Sequence, residues 1–272
     1  MTYADDTVIF TSNSEMNIIE SHLNQDVNSL ATWFRKNELI INLKKGKTEA
    51  MLFGTAKRLN KFKERQLNIK VSETSINCTT QYKYLGVTLE PSLTLDTHLD
   101  IICKKAAGRV NLLRRIRSSI DTSTAIVIYN AMIMPLFTYC GSVGLGWPDS
   151  KLKRLRSIEK RSINIIKSKC PPNADLRVPN IGNQMKKSVC KFVFDCLQKK
   201  VCEPFKDYFE RAKHEKCTRN NNHTVKLPLM KTKTGQKCVA FAGGRIFNEL
   251  PLEARKIESR IVFTSFLNEH FS

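Results

Sequence analysis

Tyr3-Ala4-Asp5-Asp6-Thr7-Val8-Ile9-Phe10 is the stretch that decides how this chain is read. Two adjacent carboxylates lead into Thr7 to Thr11, a β-branched and aromatic run with the composition of a hairpin's return strand. Paired acids at the tip of a strand-turn-strand suit the clamping of Mg²⁺, because a hard cation takes oxygen ligands held on rigid backbone, and two such ions serve phosphoryl-type transfer. An Asp-Asp pair by itself is more often a solvated turn, so the flanking stretches must decide.

Ser12 and, three positions on, Glu15 have the spacing of a capping box. Ile19, Leu23, Val27, Leu30 and Phe34 then recur at intervals of three and four, the apolar stripe of an amphipathic helix that Asn37 ends. Leu39-Ile40-Ile41, the basic loop Lys44-Lys45-Gly46-Lys47 and the run Thr48 to Phe53, closed by Gly54, predict a second hairpin. Met1-Thr2-Tyr3 is too short for a well-paired first strand by the usual lengths. Further on, Leu85, Val87 and Leu89 alternate with Tyr84, Gly86 and Thr88, which predicts a strand with one buried face and a glycine that lets another backbone approach.

Lys and Arg outnumber Asp and Glu by 45 to 25 in 272 residues, a net charge of +20. Hydrophobic residues make up 41%, enough for a core, while charge of this size opposes compaction and points to a polyanionic partner, nucleic acid first. Such binding would be phosphate-directed and steeply weakened by salt. The basic residues cluster: Lys44 to Lys47, Lys57 to Arg65, Lys104 and Lys105 with Arg109, Arg114 and Arg115 with Arg117, and Lys151 to Arg161, within which Lys153 and Arg154 stand out. Leu112, Leu113 and Ile116 interleave with the arginines at helical spacing, so one face packs while the other carries charge. Each cluster is equally readable as a solubilising helix face.

Nine scattered cysteines form no disulfide framework, and no secretory signal opens the chain, which together point to a reducing, intracellular setting. Cys190, Cys196 and Cys202, followed by His214, Cys217 and His223, lack the short paired spacing of a zinc knuckle. Ser123 to Pro148 carries no charge, but Asn130, Pro135 and several glycines divide it into a helix ending at Pro135 and a loop, too short to span a bilayer.

Taken in order, these motifs resemble the reverse transcriptases of non-LTR, LINE and jockey-like retrotransposons. Tyr3-Ala4-Asp5-Asp6 resembles the catalytic box, and Trp33-Phe34 through Asn42, Lys47-Thr48-Glu49 and Met51-Leu52-Phe53-Gly54 resemble the palm elements after it. Tyr82-Lys83-Tyr84-Leu85-Gly86-Val87 is similar to the primer grip, and His98 to Arg117 with Tyr129 to Trp147 is similar to the helical thumb. The tail, Gly235 to Phe241, Phe247 to Pro251 and Phe263 to Phe266, is similar to the C-terminal part of the same reading frames.

The resemblance implies an RNA-directed DNA polymerase with Mg²⁺ held by Asp5 and Asp6, a primer grip at Tyr84, Leu85 and Gly86, and a template-primer of RNA and DNA as partner. Lys47 would lie near the triphosphate, although it is also simply one loop lysine beside Lys44 and Lys45. In the family a further catalytic Asp and the fingers precede the box. No remaining Asp of this chain lies in an apolar strand that could replace the former, which leads to the expectation that the chain by itself does not polymerise.

The expected architecture is α+β: a truncated palm of short antiparallel strands plus a helix over 1–91, a helical thumb over 92–147, and a basic, mainly helical region over 148–272. Pro148, Pro171-Pro172 and the run Arg219 to His223 are the expected loops. A polymerase-derived chain, a non-catalytic basic nucleic-acid-binding protein and a helical interaction module all remain open at this level.

Overall fold

The computed structural model describes residues 2–63, 65, 67–144, 147–171, 178–212, 223–232 and 235–271. Pro172, His214, Cys217 and residues 219–222, all singled out in the sequence, lie outside the described residues. The chain forms two compact units, Met1–Leu99 and Asp100–Ser272, and short strands accompany long helices, an α+β composition.

In the first unit, β1 (Thr2–Tyr3) pairs antiparallel with β2 (Asp6–Thr7), Thr2 opposite Thr7 and Tyr3 opposite Asp6. Two residues therefore suffice for a first strand here, contrary to the expectation, because a two-residue connection closes the ladder at once. The return strand is equally brief: Val8 to Thr11 is not β-structure.

Helix α1 (Met16–Lys36) starts after Glu15, which caps it without a side-chain bond. The capping box at Ser12 is not formed. Asn13 Oδ1 instead accepts from Glu15 N at 3.0 Å, an Asx-type turn that competes with it. Asn37 ends the helix, its Nδ2 donating to Trp33 O at 2.8 Å.

β3 (Glu49–Ala50) precedes the short helix α2 (Ala56–Lys61). β4 (Lys70–Val71) and β5 (Thr74–Ser75) form a second antiparallel pair, and β6 (Asn77–Cys78) runs parallel to β3, Glu49 opposite Asn77. The predicted hairpin between Leu39–Ile41 and Thr48–Phe53 is thus replaced by a parallel pairing, and the strands are not all antiparallel. Ile41 and Leu43 pack instead on the core of Ala31, Ile69, Val71 and Ile76.

What docks α1 on β4 is a row of amides. Lys70 N donates to Asn24 Oδ1 at 2.7 Å and Asn24 Nδ2 to Asn68 O at 2.9 Å; four residues on, Ser72 N donates to Asn28 Oδ1 at 2.9 Å and Asn28 Nδ2 to Lys70 O at 3.2 Å. Spaced one helical turn apart, the two side chains supply the ladder partners that a strand edge otherwise lacks. Glu20 extends the row, accepting from Asn68 N at 3.0 Å and pairing with Arg65 at 2.7 Å.

β7 (Tyr82–Tyr84) and β8 (Val87–Leu89) are a tight hairpin rather than one alternating strand, with Leu85 and Gly86 at its turn. Both turn residues have positive φ, +44° and +82°, the combination that matches a two-residue turn to strand twist. Gly86 is there for its backbone freedom and not to admit another chain. Helix α3 (Asp96–Ile116) follows, running from the end of the first unit into the second.

The second unit is helical: α4 (Thr122–Ile128), a wide π-type turn over Tyr129–Ile133, α5 (Met134–Thr138), α6 (Gly141–Gly144), α7 (Asp149–Lys167), α8 (Ile181–Leu197), α9 (Val239–Asn248), α10 (Leu252–Lys256) and α11 (Arg260–His270). The chain does not end its helix at Pro135. The wide turn falls just before Pro135, whose ring nitrogen carries no hydrogen for a helical ladder, and the proline then sits in the first turn of α5, where none is needed.

Helices α8, α9 and α11 enclose a core of Val189, Val193, Phe194, Phe247, Phe263 and Leu267, with the Phe194 and Phe263 rings stacked at 4.4 Å. Arg260 closes it with a two-pronged pair to Asp195 at 2.8 and 3.0 Å. Glu159 is buried on α7 and receives Ile181 N at 2.6 Å, so it sits at the N-terminal end of α8. Burial pushes its carboxyl up; the Ile181 bond and Arg156 oppose this without outweighing it. The eight described cysteines are free thiols, and among the described residues no helix is long and apolar enough to cross a membrane.

Arg117, just past the end of α3, is 4% exposed. Its guanidinium donates to Ile166 O at 2.8 Å, Ile165 O at 3.2 Å, Ile120 O at 2.9 Å and Thr122 Oγ1 at 2.9 Å. It therefore ties the last turn of α7 to the start of α4, with its charge at the negative end of the α7 dipole. Arg117→Ala should leave these carbonyls unpaired and lower stability by on the order of 3 kcal/mol. Arg117→Lys should recover less than half of that, since one ammonium cannot span four acceptors; denaturant midpoints at unchanged m measure both.

Candidate metal hairpin and nucleic-acid interface

The β1–β2 register makes Ala4 and Asp5 the two connecting residues. Ala4 carries φ +52°, a left-handed backbone that costs a residue with a Cβ about 1 kcal/mol and that a tight turn imposes. Asp5 and Asp6 are exposed, and among the described residues neither carboxylate takes a hydrogen bond or an ion pair. Tyr3 beside them is 66% exposed.

Two adjacent carboxylates suit Mg²⁺, which is commonly held by one or two of them with water and substrate phosphate completing six oxygens. Among the described residues no group of three or more His, Cys, Asp or Glu side chains converges on one point. Asp5 and Asp6 would therefore hold such an ion as an open, two-carboxylate site.

The basic loop is ordered by its own bonds. Lys44 N donates to Asn42 Oδ1 at 3.1 Å, Lys47 N to Lys44 O at 3.0 Å, and Gly46 N to Glu49 Oε1 at 2.9 Å. Lys44, Lys45 and Lys47 all remain exposed. Tyr82 Oη donates to Lys47 O at 3.2 Å, which brings this loop to the base of the β7–β8 hairpin. The structure so joins two of the stretches read separately in the sequence, the lysine loop and the one containing Tyr84, Leu85 and Gly86.

That hairpin is fastened to α3 through two side chains. Thr88 N donates to His98 Nδ1 at 3.2 Å in a buried contact, which fixes the proton of a neutral ring on Nε2. Glu90 receives Asp96 N at 2.7 Å, Thr94 Oγ1 at 2.6 Å and Thr97 Oγ1 at 3.1 Å, and so caps the first turn of α3. Partial burial raises its acidity constant's pKa, but the three donors together outweigh that and hold the carboxyl below its ordinary 4.5.

Of the cations chosen from the sequence on the second unit, Lys104, Lys105, Arg114 and Arg115 are exposed on α3. The others have partners within the protein, Lys153 and Arg154 while remaining exposed. Arg109 donates to Met132 O, Arg154 pairs with Asp100 at 2.7 Å, and Lys153 lies 3.7 Å from Asp149. Arg117 is the clear correction: its buried guanidinium serves backbone carbonyls and does not belong to the exposed basic surface. Lys160 and Arg161, inside the Lys151 to Arg161 cluster but not singled out, are exposed on α7. Arg161 is held by Asn111 Oδ1 at 2.5 Å. Their spacing on the helix face opposite Leu155, Glu159 and Ile166 was the signal available for them.

The chain thus carries an acidic hairpin and a basic helical surface on an α+β frame. Neither a family model nor a solved structure matches it. Curated relatives do. The chain is 24% identical over 202 residues to the RNA-directed DNA polymerase from mobile element jockey of Drosophila melanogaster, covering 71% of this chain and 21% of that protein. It is 24% identical over 201 residues to the polymerase of the same name from Drosophila funebris, covering 70% and 21%, and 23% identical over 173 residues to the probable RNA-directed DNA polymerase from transposon BS of Drosophila melanogaster, covering 62% and 18%. The resemblance to jockey-like retrotransposon reverse transcriptases carried by the motifs is therefore shown, and the chain spans about a fifth of the length of the relatives it matches.

The Glu90 cap yields a pH signature. A carboxyl whose pKa falls on folding contributes stability that is full above its unfolded value of 4.5 and is lost as pH drops through the lower folded value. Wild type should therefore exceed Glu90→Gln in unfolding free energy at neutral pH, and the gap should close as pH falls below 4.5, as read by denaturant titrations across that range.

Proposed function

We propose that these residues belong to the polymerising part of a jockey-like RNA-directed DNA polymerase. In this reading residues 1–91 are the later part of the palm, 92–147 the helical thumb, and 148–272 a basic helical region that adds nucleic-acid affinity. The reaction is nucleotidyl transfer onto a primer 3′ end along an RNA template, and the partner is that template-primer.

The carrying observation is the β1–β2 hairpin, in which Tyr3 faces Asp6 across the ladder and a two-residue turn presents Asp5 and Asp6 to solvent. Its support is the similarity to the two jockey polymerases. Mg²⁺ bound there would neutralise phosphate oxygens and favour attack by the primer hydroxyl. Asp5 and Asp6 would orient the ion. Lys47, on a loop fixed by Tyr82, would offer its ammonium to the departing pyrophosphate, with Lys44 and Lys45 beside it for phosphate. Tyr84, Leu85 and Gly86 would hold the primer end on the hairpin fastened by His98 and Glu90.

Two exposed carboxylates on one turn do not by themselves enclose two metal ions, so these 272 residues alone bind template-primer without extending it. Primer extension with Mg²⁺ and anisotropy over a salt series test this together. The expected result is no extension and binding that weakens steeply with salt. Extension by this chain that disappears in Asp5→Ala contradicts the inactivity, and salt-independent weak binding contradicts the nucleic-acid reading.

A further inference from the structure

An open groove of about 560 Å³ lies between the C-terminal part of α3 and the face of α7, lined chiefly by Arg114, Arg117, Ser157, Lys160, Arg161 and Asn164. Four of these side chains are cations and none is acidic. On α7 Ser157, Lys160, Arg161 and Asn164 fall at intervals of three, one and three, a single helical face, with Ile165 beside them and Ser168 just past the helix end. The opposite face is buried through Leu155, Glu159 and Ile166, so Glu159, the acid nearest in sequence, points away from the groove.

Arg117 has a particular part in this. The last turn of a helix presents bare carbonyls and a partial negative charge, which would repel an anion lying along α7. The Arg117 guanidinium covers Ile165 O and Ile166 O, turning a repulsive floor into a positive one while its own donors stay engaged. Arg114, Lys160 and Arg161 above it are exposed, and Asn111 pre-orients Arg161. Gathering such charges within a Debye length of about 10 Å destabilises the free protein unless an anion joins them.

Size and lining indicate which anion. At about 560 Å³ the groove is far larger than one inorganic phosphate requires. From Ser157 to Asn164 the helix advances about 10 Å at about 1.5 Å per residue, room for more than one phosphodiester. No aromatic side chain lines it, so it offers no platform on which an unpaired base could stack. We infer that the α3–α7 groove binds the sugar-phosphate backbone of a nucleic-acid duplex, independently of sequence, through Arg114, Lys160 and Arg161 with Ser157 and Asn164 as neutral donors. This rests on the nucleic-acid reading above and assigns its duplex contact to one place.

The test compares two charge-matched variants of the full chain on a labelled RNA–DNA hybrid duplex of mixed sequence. R114Q/K160Q/R161Q removes the groove's exposed cations, and K199Q/K226Q/K231Q removes three exposed lysines elsewhere. The groove variant should bind about tenfold or more weakly than wild type, and its slope of log affinity against log salt should flatten by about 0.9 per lost contact. The control should change far less in both. Circular dichroism and thermal melting check that the variants fold, and single R114Q and K160Q changes at solvent-facing positions give the same direction at smaller size. If wild type binds the duplex in a salt-dependent way but both triple variants weaken equally, the groove assignment is overturned alone. If wild type shows no salt-dependent duplex binding, the proposed function falls and the groove assignment with it.

Discussion

The Arg117 guanidinium at the C-terminal end of α7 is the interaction on which the second unit's basic face depends. The last turn of a helix leaves carbonyls without partners, and each one shut off from water costs about as much as the net gain of a hydrogen bond or more. One planar, permanently charged side chain satisfies Ile165 and Ile166 together and also takes Ile120 and Thr122 from the start of α4. Lys169 repeats the theme from the other side, donating to Ser118 O. Together with Arg154–Asp100 and Arg161–Asn111, which join α7 to α3, that clamp frames the groove lined by Arg114, Lys160 and Arg161.

The first unit rests on a comparable device. Its strands are two or three residues long and would be marginal as isolated ladders. Asn24 and Asn28 lend α1 to β4 as a surrogate strand, and Glu90 and His98 do the same between the β7–β8 hairpin and α3. Polar side chains thus hold in place what short strands cannot hold by themselves, and the exposed Lys47 loop is joined to the β7–β8 hairpin through Tyr82.

The helices were legible because their signals are local and periodic. The stripe from Ile19 to Phe34 and the stop at Asn37 reappear in α1, and of the leucines among the α3 arginines Leu113 is buried while Leu112 faces solvent. Strands were not, because β-propensity reports only a half-buried surface; Ile41 found that surface without pairing, and Leu39 and Ile40 stay exposed. The β7–β8 turn was hidden by Leu85, a residue that rarely accepts positive φ. In the site, the acidic turn could be read from four letters, whereas Arg117 could not be told from Arg114 and Arg115. Three neighbouring arginines differ only in what the fold brings to them, two facing solvent and one facing the end of a helix forty-eight or forty-nine residues away.

The chain therefore combines a solvent-facing carboxylate turn, a lysine loop joined to a tight hairpin, and a cation-lined groove, in a sequence related to jockey-like RNA-directed DNA polymerases. In the proposed reading nucleic acid is held by phosphate contacts along α3 and α7. Hydrogen exchange with and without a bound RNA–DNA hybrid duplex reads this directly, because it locates the contact without altering a residue. Added protection concentrated in peptides spanning Asn111–Arg117 and Ser157–Ser168 is the predicted result. Protection that spares both stretches and falls elsewhere would contradict it.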